Sequence, residues 1–237
     1  AFGSKMGFPD MLMLDSTEPA AVKRVLDRIN LPKTVFVVST KSGTTVETLS
    51  FDKDISVKNF EITIRILGGL LSAYEMTGDE RLLRLADDLG TRLLPVFESP
   101  TGLPYMYVNL KTGKTSGART NPAEIGTLFL EFGTLSRHTK KPVYYDKAKR
   151  ALVELYNRRS KIGLVGEEID VETGQWVSAA SHVGGGIDSY YEYLLKGWLL
   201  FGDEDCRVMW RDSIRALNRH LADEAGRSAE ISEWSQG

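Results

Sequence analysis

The sequence contains few of the residues that build disulfides and transition-metal sites. It has one cysteine, Cys206, and three histidines. A single cysteine excludes an internal disulfide framework and any metal site built from several thiolates. The histidines are widely spaced, which argues against a histidine-rich zinc site; they are His138, His182 and His220. We therefore assign no metal ligand to this chain from its sequence.

Long apolar runs and a surplus of charge are also absent. No run of about 18 apolar residues occurs, so the sequence predicts no transmembrane helix. The formal net charge of the 237 residues is −2, which favours neither nucleic acid nor an anionic membrane as a partner. Residues 1–5 lack the pattern of a signal peptide, and they leave the compartment open. The length favours one or two domains.

The first fifty residues have the pattern of a short βαβ unit. An apolar run at 11–14 precedes N-cap residues at 15–17 and apolar positions at helical spacing between Ala20 and Ile29. The β-branched run at 34–38 has the composition of a buried parallel strand. We therefore expect a βαβ fragment over residues 1–50.

A hydroxyl-rich loop, STKSGTTVET at residues 39–48, follows that strand. Such a loop before a helix N-terminus suits a phosphate, although composition alone favours an ordinary polar loop. The string closely resembles the sugar-phosphate loop of the sugar isomerase (SIS) domain of glucose-6-phosphate isomerases. That resemblance implies that Thr40, Ser42 and Thr45 bind a sugar phosphate. The parts of that enzyme that carry ring opening and proton transfer have no counterpart here, so we do not expect isomerase activity.

From about residue 51 the pattern changes to paired helices. Apolar stripes predict helices at 60–77, 82–93, 123–137, 143–157, 188–201 and 205–221. Short connections within the pairs predict αα-hairpins, and turn residues at 111–114 and 172–174 predict β-hairpins at one end of the array. We therefore expect a mainly α fold over residues 51–237, namely part of an α/α toroid, with an ordinary helical bundle as the alternative.

Three acidic residues lie at or near helix starts in different hairpins. Glu61 shares a helix face with Arg65, Glu124 precedes an apolar helix, and Asp188 follows three glycines. Their ordinary roles would be a surface ion pair, a first-turn acid and an N-cap, respectively. Glycoside hydrolysis, however, needs two carboxyl groups flanking the scissile bond, and helix starts can converge in a toroid. The sequence therefore offers these residues as candidates for carbohydrate chemistry.

Glycines at positions 68 and 69 stand in the middle of the first long helix. Each costs about 1 kcal/mol relative to alanine in a helix interior. This cost is easier to explain where another part of the chain or a ligand approaches closely.

Seven segments occur in the order in which one enzyme family carries them, namely residues 60–74, 93–97, 101–105, 123–132, 174–176, 185–196 and 233–234. Together they strongly resemble glycoside hydrolase family 47, the class I α-1,2-mannosidases. The resemblance implies an (α/α)7 toroid that uses Ca²⁺ and removes α-1,2-linked mannose from high-mannose N-glycans with inversion. It implies that Glu61 protonates the leaving oxygen and that Asp188 is another catalytic carboxylate, working through water. It gives Arg65 and Glu124 the role of sugar-binding residues.

The resemblance covers only part of the family's length. The family's early helices are replaced before Phe60, and its late catalytic Glu, second proposed acid and Ca²⁺-binding Thr lie beyond Gly237. We therefore expect a seam between Thr48 and Asp54 that joins two fragments, and little mannosidase turnover from this chain alone. The alternatives are a glycan-binding arc without catalysis, phosphosugar binding at residues 39–48, and a junction produced by truncation or assembly.

Overall fold

Residues 50–222 form three pairs of antiparallel helices in the computed structural model, which describes these residues only. The helical elements, in chain order, are α1 (Asn59–Ile62), a π-helical segment (Thr63–Leu67), α2 (Gly68–Thr77), α3 (Glu80–Leu93), a 3-10 turn (Leu94–Phe97), α4 (Pro122–Gly126), α5 (Phe129–Thr139), α6 (Pro142–Asn157), α7 (Asp188–Phe201) and α8 (Glu204–His220). The first pair is α2 with α3, the second is α5 with α6, and the third is α7 with α8.

A two-residue turn joins the two helices of each pair. Gly78 and Gly202 end the first helix of their pairs in the left-handed conformation, with φ of 68° and 69°. Asp79 and Asp203 follow, and each side chain accepts a backbone N–H bond from the first turn of the next helix. In both turns a glycine that favours the end of one helix is followed directly by an aspartate that favours the start of the next. The chain therefore reverses within two residues, which makes the paired helices antiparallel.

Two small antiparallel sheets connect the helix pairs at the other end of the array. The strands are β1 (Ser56–Lys58), β2 (Tyr107–Asn109), β3 (Thr115–Ser116), β4 (Arg119–Thr120), β5 (Glu168–Asp170) and β6 (Trp176–Ser178). The sheet orders are β1-β2-β3 and β4-β5-β6, with Lys58 opposite Tyr107 and Thr120 opposite Ile169. Since β1 runs directly into α1 and β4 almost directly into α4, the two sheets fix where those helices begin.

The core lies between the inner helices and the outer helices that cover them. Inner helix α5 packs against both α2 and α7, while α3, α6 and α8 pack outside. Phe97 and Phe132 meet edge to face with ring centroids 5.3 Å apart, and Phe129 meets Phe201 at the same distance. Burying a side chain of this size stabilises a fold by about 1.5–3 kcal/mol. The helices are therefore held mainly by apolar contacts between the pairs.

The predicted fold class is confirmed for the described residues, which form a mainly helical array with β-hairpin connections. One predicted helix is wrong: the helix expected over 123–137 breaks at Thr127, whose φ and ψ are −82° and 45°. Contact with α7 explains the break, because Thr127 Oγ1 donates to Ser189 Oγ at 2.6 Å. A Cβ on Gly126 would also lie 2.8 Å from the Tyr190 ring.

Two sequence predictions concern parts of the chain outside the described residues. The βαβ fragment at 1–50 lies almost wholly there, and so does the segment 233–234. The domain boundary near residue 50 therefore stays a prediction. Among the helices between residues 50 and 222, none combines the length and apolar character that crossing a membrane requires.

Candidate functional site

Helix α1, the π-helical segment and α2 follow one another without a gap, and we call them together the first inner helix. Glu61 and Arg65 lie on its solvent-facing side. Arg65 Nε donates to Glu61 Oε2 at 2.6 Å, and the side chains of Arg65 and Glu61 are 63% and 43% exposed, respectively. An exposed pair of this spacing stabilises a helix by about 0.5 kcal/mol or less. Both side chains can therefore exchange this contact for a ligand at little energetic cost.

The segment that carries Arg65 is a π-helix. The Gly68 N–H bonds to the carbonyl of Thr63, five residues earlier. Below it, the buried Thr63 hydroxyl donates to Asn59 Oδ1 at 3.3 Å. π-Helical turns are rare and occur frequently at functional sites. Because a π-helical turn is wider than an α-helical one, it changes the directions in which the side chains before and after it point. Arg65 lies within this turn.

Glu124 is held in place by contacts from three directions. Lys58 Nζ lies 2.5 Å from Glu124 Oε1, and Thr120 Oγ1 donates to Oε2 at 3.4 Å. The backbone N–H of Glu124 bonds to the Asn121 side chain, which caps α4. Only 12% of the Glu124 side chain is exposed. The carboxylate is therefore fixed in orientation before any ligand arrives.

Lys58 links Glu124 electrostatically to Glu61. Burial by itself lowers the pKa of Lys58, but the hydrogen bond and charge of Glu124 outweigh it and raise the pKa overall. The Glu61 carboxylate acts in the same direction. Lys58 is therefore paired with Glu124 and lies within electrostatic range of Glu61.

Asp188 is the first residue of α7 and is exposed. The N-cap position is Ile187, and no side chain caps this helix. Asp188 Oδ1 instead accepts the N–H of Ser189 at 2.8 Å. The glycine loop before it is bonded to α4, because the Ala123 N–H donates to the Gly186 carbonyl at 2.8 Å. The ordinary N-cap role for Asp188 is therefore wrong, and the side chain is open to solvent.

The structure thus brings three of the four predicted carbohydrate-site residues into one cluster. Lys58 pairs with Glu124 and feels the charge of Glu61, which in turn pairs with Arg65, and we call these four side chains the carboxylate cluster. Asp188 is joined to it indirectly, since its glycine loop is bonded to the residue before Glu124. Within residues 50–222, no hydrogen bond or ion pair connects Asp188 to the cluster itself. The catalytic and sugar-binding roles of these residues stay predictions.

Glu131 of α5 is a further acidic group, buried behind the first inner helix. Tyr193 donates to Glu131 Oε1 at 3.0 Å, whereas Oε2 is buried with no hydrogen-bond partner in the described part of the chain. Burial raises the pKa of Glu131 to about 7, although the Tyr193 bond and the charge of Lys196 act the other way. A carboxyl group with such a pKa can hold or release a proton near neutral pH.

Sequence reasoning missed Lys58 of the carboxylate cluster and the buried carboxyl group of Glu131. Glu131 stands between Leu130 and Phe132, and a carboxylate within an apolar run is a signal that could have identified it. Lys58 carries no comparable signal. It meets Glu124 only because β1 and α4 are neighbours in the folded chain.

The described residues do not form the calcium site that the family resemblance implies. Within residues 50–222, no group of three or more His, Cys, Asp or Glu side chains could hold a metal ion. Calcium takes about six to eight oxygen ligands, several of them usually carboxylates. The carboxylate cluster also contains two cationic side chains, Lys58 and Arg65, which oppose a divalent cation.

Antiparallel helix pairs that are joined at one end by small β-sheets, with polar residues where the inner helices begin, are the architecture of an arc of an α/α toroid. Cellobiose 2-epimerase from Bacillus thermoamylovorans has this fold in common with the chain: the sequences are 17% identical, the TM-score is 0.61, and the match covers 85% of this chain and 55% of the epimerase. At that identity the likeness shows the fold alone. The model of glycosyl hydrolase family 47 matches residues 38–235, and the chain belongs to that family.

The relatives include plant and animal proteins. Alpha-mannosidase I MNS5 of Arabidopsis thaliana is 44% identical over 188 residues, which are 74% of this chain and 33% of the relative. Mannosyl-oligosaccharide 1,2-alpha-mannosidase IB of Mus musculus is 38% identical over 200 residues, or 81% of this chain and 31% of the relative. The chain therefore spans about a third of the length of the curated relatives it matches.

The alpha-1,2-mannosidase from Trichoderma reesei is a similar solved structure. It is 28% identical, with a TM-score of 0.65 over 85% of this chain and 43% of the mannosidase. The described helix pairs therefore correspond to an arc of the larger toroid, as the sequence predicts.

The comparisons give no support to the isomerase resemblance. The family match begins at residue 38, so it includes the string at 39–48 that resembles the phosphate loop. Thr40, Ser42 and Thr45 lie outside the described residues. Their phosphate-binding role stays a prediction.

Proposed function

We propose that this chain supplies an acid and sugar-binding groups to the active site of an α-mannosidase, and that its substrate is terminal α-1,2-linked mannose on high-mannose N-glycans. The carboxylate cluster carries the proposal. It combines an exposed carboxyl group, Glu61, with donors and acceptors at fixed positions, and it lies where the inner helices start. The mannosidase names of the similar proteins support the same substrate class.

In this proposal Glu61 delivers a proton to the glycosidic oxygen. The bond between the anomeric carbon and that oxygen breaks, and its electron pair stays with the protonated leaving group. Water attacks the anomeric carbon from the opposite face, so the configuration inverts, and the proton that this water loses passes through a second water to the Asp188 carboxylate. Inverting glycosidases hold their carboxyl groups roughly 6.5–9.5 Å apart to leave room for that water.

Arg65 and Glu124 hold sugar hydroxyl groups. The Arg65 guanidinium offers several N–H donors on one plane, and its exposed pairing with Glu61 is easily exchanged. The Glu124 carboxylate accepts hydroxyl hydrogens, and its contact with Lys58 keeps it oriented. Calcium belongs to the proposal as a family expectation, and it would be held by residues other than those between 50 and 222.

Binding of α-1,2-mannobiose, measured by calorimetry on the 237-residue chain, tests the sugar-binding part. We expect saturable binding that Arg65→Gln weakens by at least tenfold. Arg207→Gln is the matched control, because Arg207 is an exposed arginine of α8 paired with Glu204. Equal affinity in the Arg65→Gln variant and the parent would remove the basis for the assignment.

Release of mannose, with and without added Ca²⁺, tests the catalytic part. Glu61→Gln and Asp188→Asn should lower any turnover by at least 100-fold while binding changes only slightly, and the first product should be the β-anomer. Binding without release in the parent would favour the glycan-binding arc. Absence of both binding and release would contradict the whole proposal.

A further inference from the structure

A basic cleft lies between the loop that follows α6 and the C-terminal half of α8. Its volume is about 530 Å³. The charged and titratable side chains that line it are Arg159, Lys161, Asp212, Arg215, Arg219 and His220. Four of these are permanent cations, although the whole chain carries a formal charge of −2. The cleft is therefore a local concentration of positive charge on a weakly acidic protein.

Asp212 is the only carboxylate among the residues between 50 and 222 that line the cleft, and it is already engaged. Tyr156 donates its hydroxyl to Asp212 Oδ2 at 3.2 Å, and Arg211 Nε lies 3.3 Å from Oδ1. Arg215 is a more distant partner at 3.8 Å. Within the described range, Lys161 and Arg219 form no ion pair. Most of the positive charge of the cleft is therefore not neutralised by these neighbours.

Two features fix the shape of the cleft. The Arg159 guanidinium stacks on the Tyr156 ring at 3.5 Å and donates to the Tyr156 carbonyl at 2.7 Å, so its orientation is set. Gly163, with φ of 89°, lets the loop lie directly against α8. A Cβ at this position would lie only 2.9 Å from the Ala216 Cβ. Only glycine suits both that backbone conformation and that spacing. The loop is therefore held against the helix.

We propose that the basic cleft binds a tetrahedral dianion, namely phosphate or a phosphomonoester. Arginine guanidinium groups match phosphate oxygens through paired, charge-assisted hydrogen bonds. A dianion would also offset the repulsion among cations that a cleft brings close together. The volume falls within the range of small-molecule sites and leaves space for a group attached to the phosphate.

The cleft opens at the same end of the helical array as the carboxylate cluster. Helices α6 and α8 run antiparallel to the inner helices, so their C-terminal ends lie where the inner helices start. A phosphate on a bound glycan and a free phosphate ion share the required chemistry. The two sources are distinguished by comparing ligands with and without a sugar.

Calorimetric titration of the chain with inorganic phosphate, at constant low ionic strength, tests the proposal. All proteins carry Thr45→Val, which removes a hydroxyl of the separate loop at 39–48. We expect saturable binding that added salt weakens. The double variant Arg215→Gln/Arg219→Gln should bind at least tenfold more weakly. Arg207→Gln is the control, since Arg207 lies on the same helix outside the cleft and pairs with Glu204.

Unfolding temperatures measured without phosphate should be the same for all variants and their parent, which shows that each variant folds. Arg219→Lys keeps the charge and should retain most of the phosphate binding. Tighter binding of mannose 6-phosphate than of phosphate, lost in the Arg215→Gln/Arg219→Gln variant, would identify a sugar phosphate as the ligand of the cleft. Equal affinities would identify the free ion. Absence of saturable binding, or an equal loss in the Arg207→Gln control, would overturn the assignment.

Discussion

Glu131 of α5 lies directly against Gly68 of the first inner helix. A Cβ on Gly68 would come within 3.4 Å of the Glu131 Cγ, whereas a Cβ on Gly69 would meet nothing within 4 Å. The close approach inferred from the sequence therefore exists at one of the two glycines. The approaching group is a buried carboxyl group of the chain itself.

Replacing Glu131 with Gln should reduce the pH dependence of stability. Burial raises the pKa of Glu131 from 4.5 to about 7, so the folded state keeps a proton that the unfolded state releases in that range. Stability from a raised pKa is complete below pH 4.5 and is lost as pH rises through 7. The parent should therefore lose up to ~3 kcal/mol of unfolding free energy across this window, and the variant much less.

Urea unfolding at a series of pH values, followed by circular dichroism, measures this difference. Glu192→Gln serves as the control because Glu192 is an exposed carboxylate on a neighbouring helix. The control should keep the slope of the parent. If Glu131→Gln keeps it as well, Glu131 is not the group responsible.

Alanine substitutions at Gly69 and Gly90 should change stability in opposite directions. Gly69→Ala should stabilise the fold by up to about 1 kcal/mol, because alanine favours a helix and the site is open. Gly90→Ala should destabilise it by about 1–3 kcal/mol, because the new Cβ would overlap the buried Leu135 side chain. Urea midpoints of both variants decide the question, and changes of the same sign would contradict the described packing.

Removing the two equivalent Asp caps should have unequal effects. Asp203 caps α8 and pairs with Lys149 and Tyr145, with side chains of Asp203 and Lys149 only 10% and 14% exposed. Asp203→Ala loses the cap and leaves the largely buried Lys149 ammonium with only the exposed Asp205, at 3.3 Å, as an ion-pair partner, so we expect a loss of about 3 kcal/mol. Asp79 caps α3 in a more exposed setting, and Asp79→Ala should cost less. Equal shifts in the urea midpoint would contradict this assignment.

Replacing Lys58 with Met should destabilise the fold through Glu124. The variant leaves the mostly buried Glu124 carboxylate without its cation, and we expect a loss of about 1–3 kcal/mol. Adding Glu124→Gln in the same chain should restore part of that loss, since the unpaired charge is removed. Lys196→Met, at an exposed pair, is the control. No recovery in the double variant would show that the loss has another origin.

The helices could be predicted from the sequence because their apolar stripes and end signals are local. Pro142 at the start of α6 and Gly202 at the end of α7 each mark an element boundary without reference to the rest of the chain. The break at Thr127 could not be predicted in this way. It depends on Ser189 and Tyr190 of α7, more than sixty positions later in the sequence.

The same distinction applies to the candidate site. Glu61 with Arg65 is visible in the sequence because i, i+4 residues share a helix face. The pairing of Lys58 with Glu124 depends on how a strand and a helix meet in space. The buried state of Glu131 depends on Gly68 and Tyr193, which belong to two other helices. Sequence patterns therefore could not predict which side chains are buried between elements or which ion pairs join one element to another.

The two-residue turns are suitable positions for attaching a label to the protein. They lie at the opposite end of the inner helices from the carboxylate cluster, and α7 alone, with 14 residues, is about 21 Å long. A fluorescent dye or a surface tether attached beside Gly202 would thus stand roughly that far from any sugar at the helix starts. Ligand titrations could then be read from the labelled end with the chemistry at the other end undisturbed.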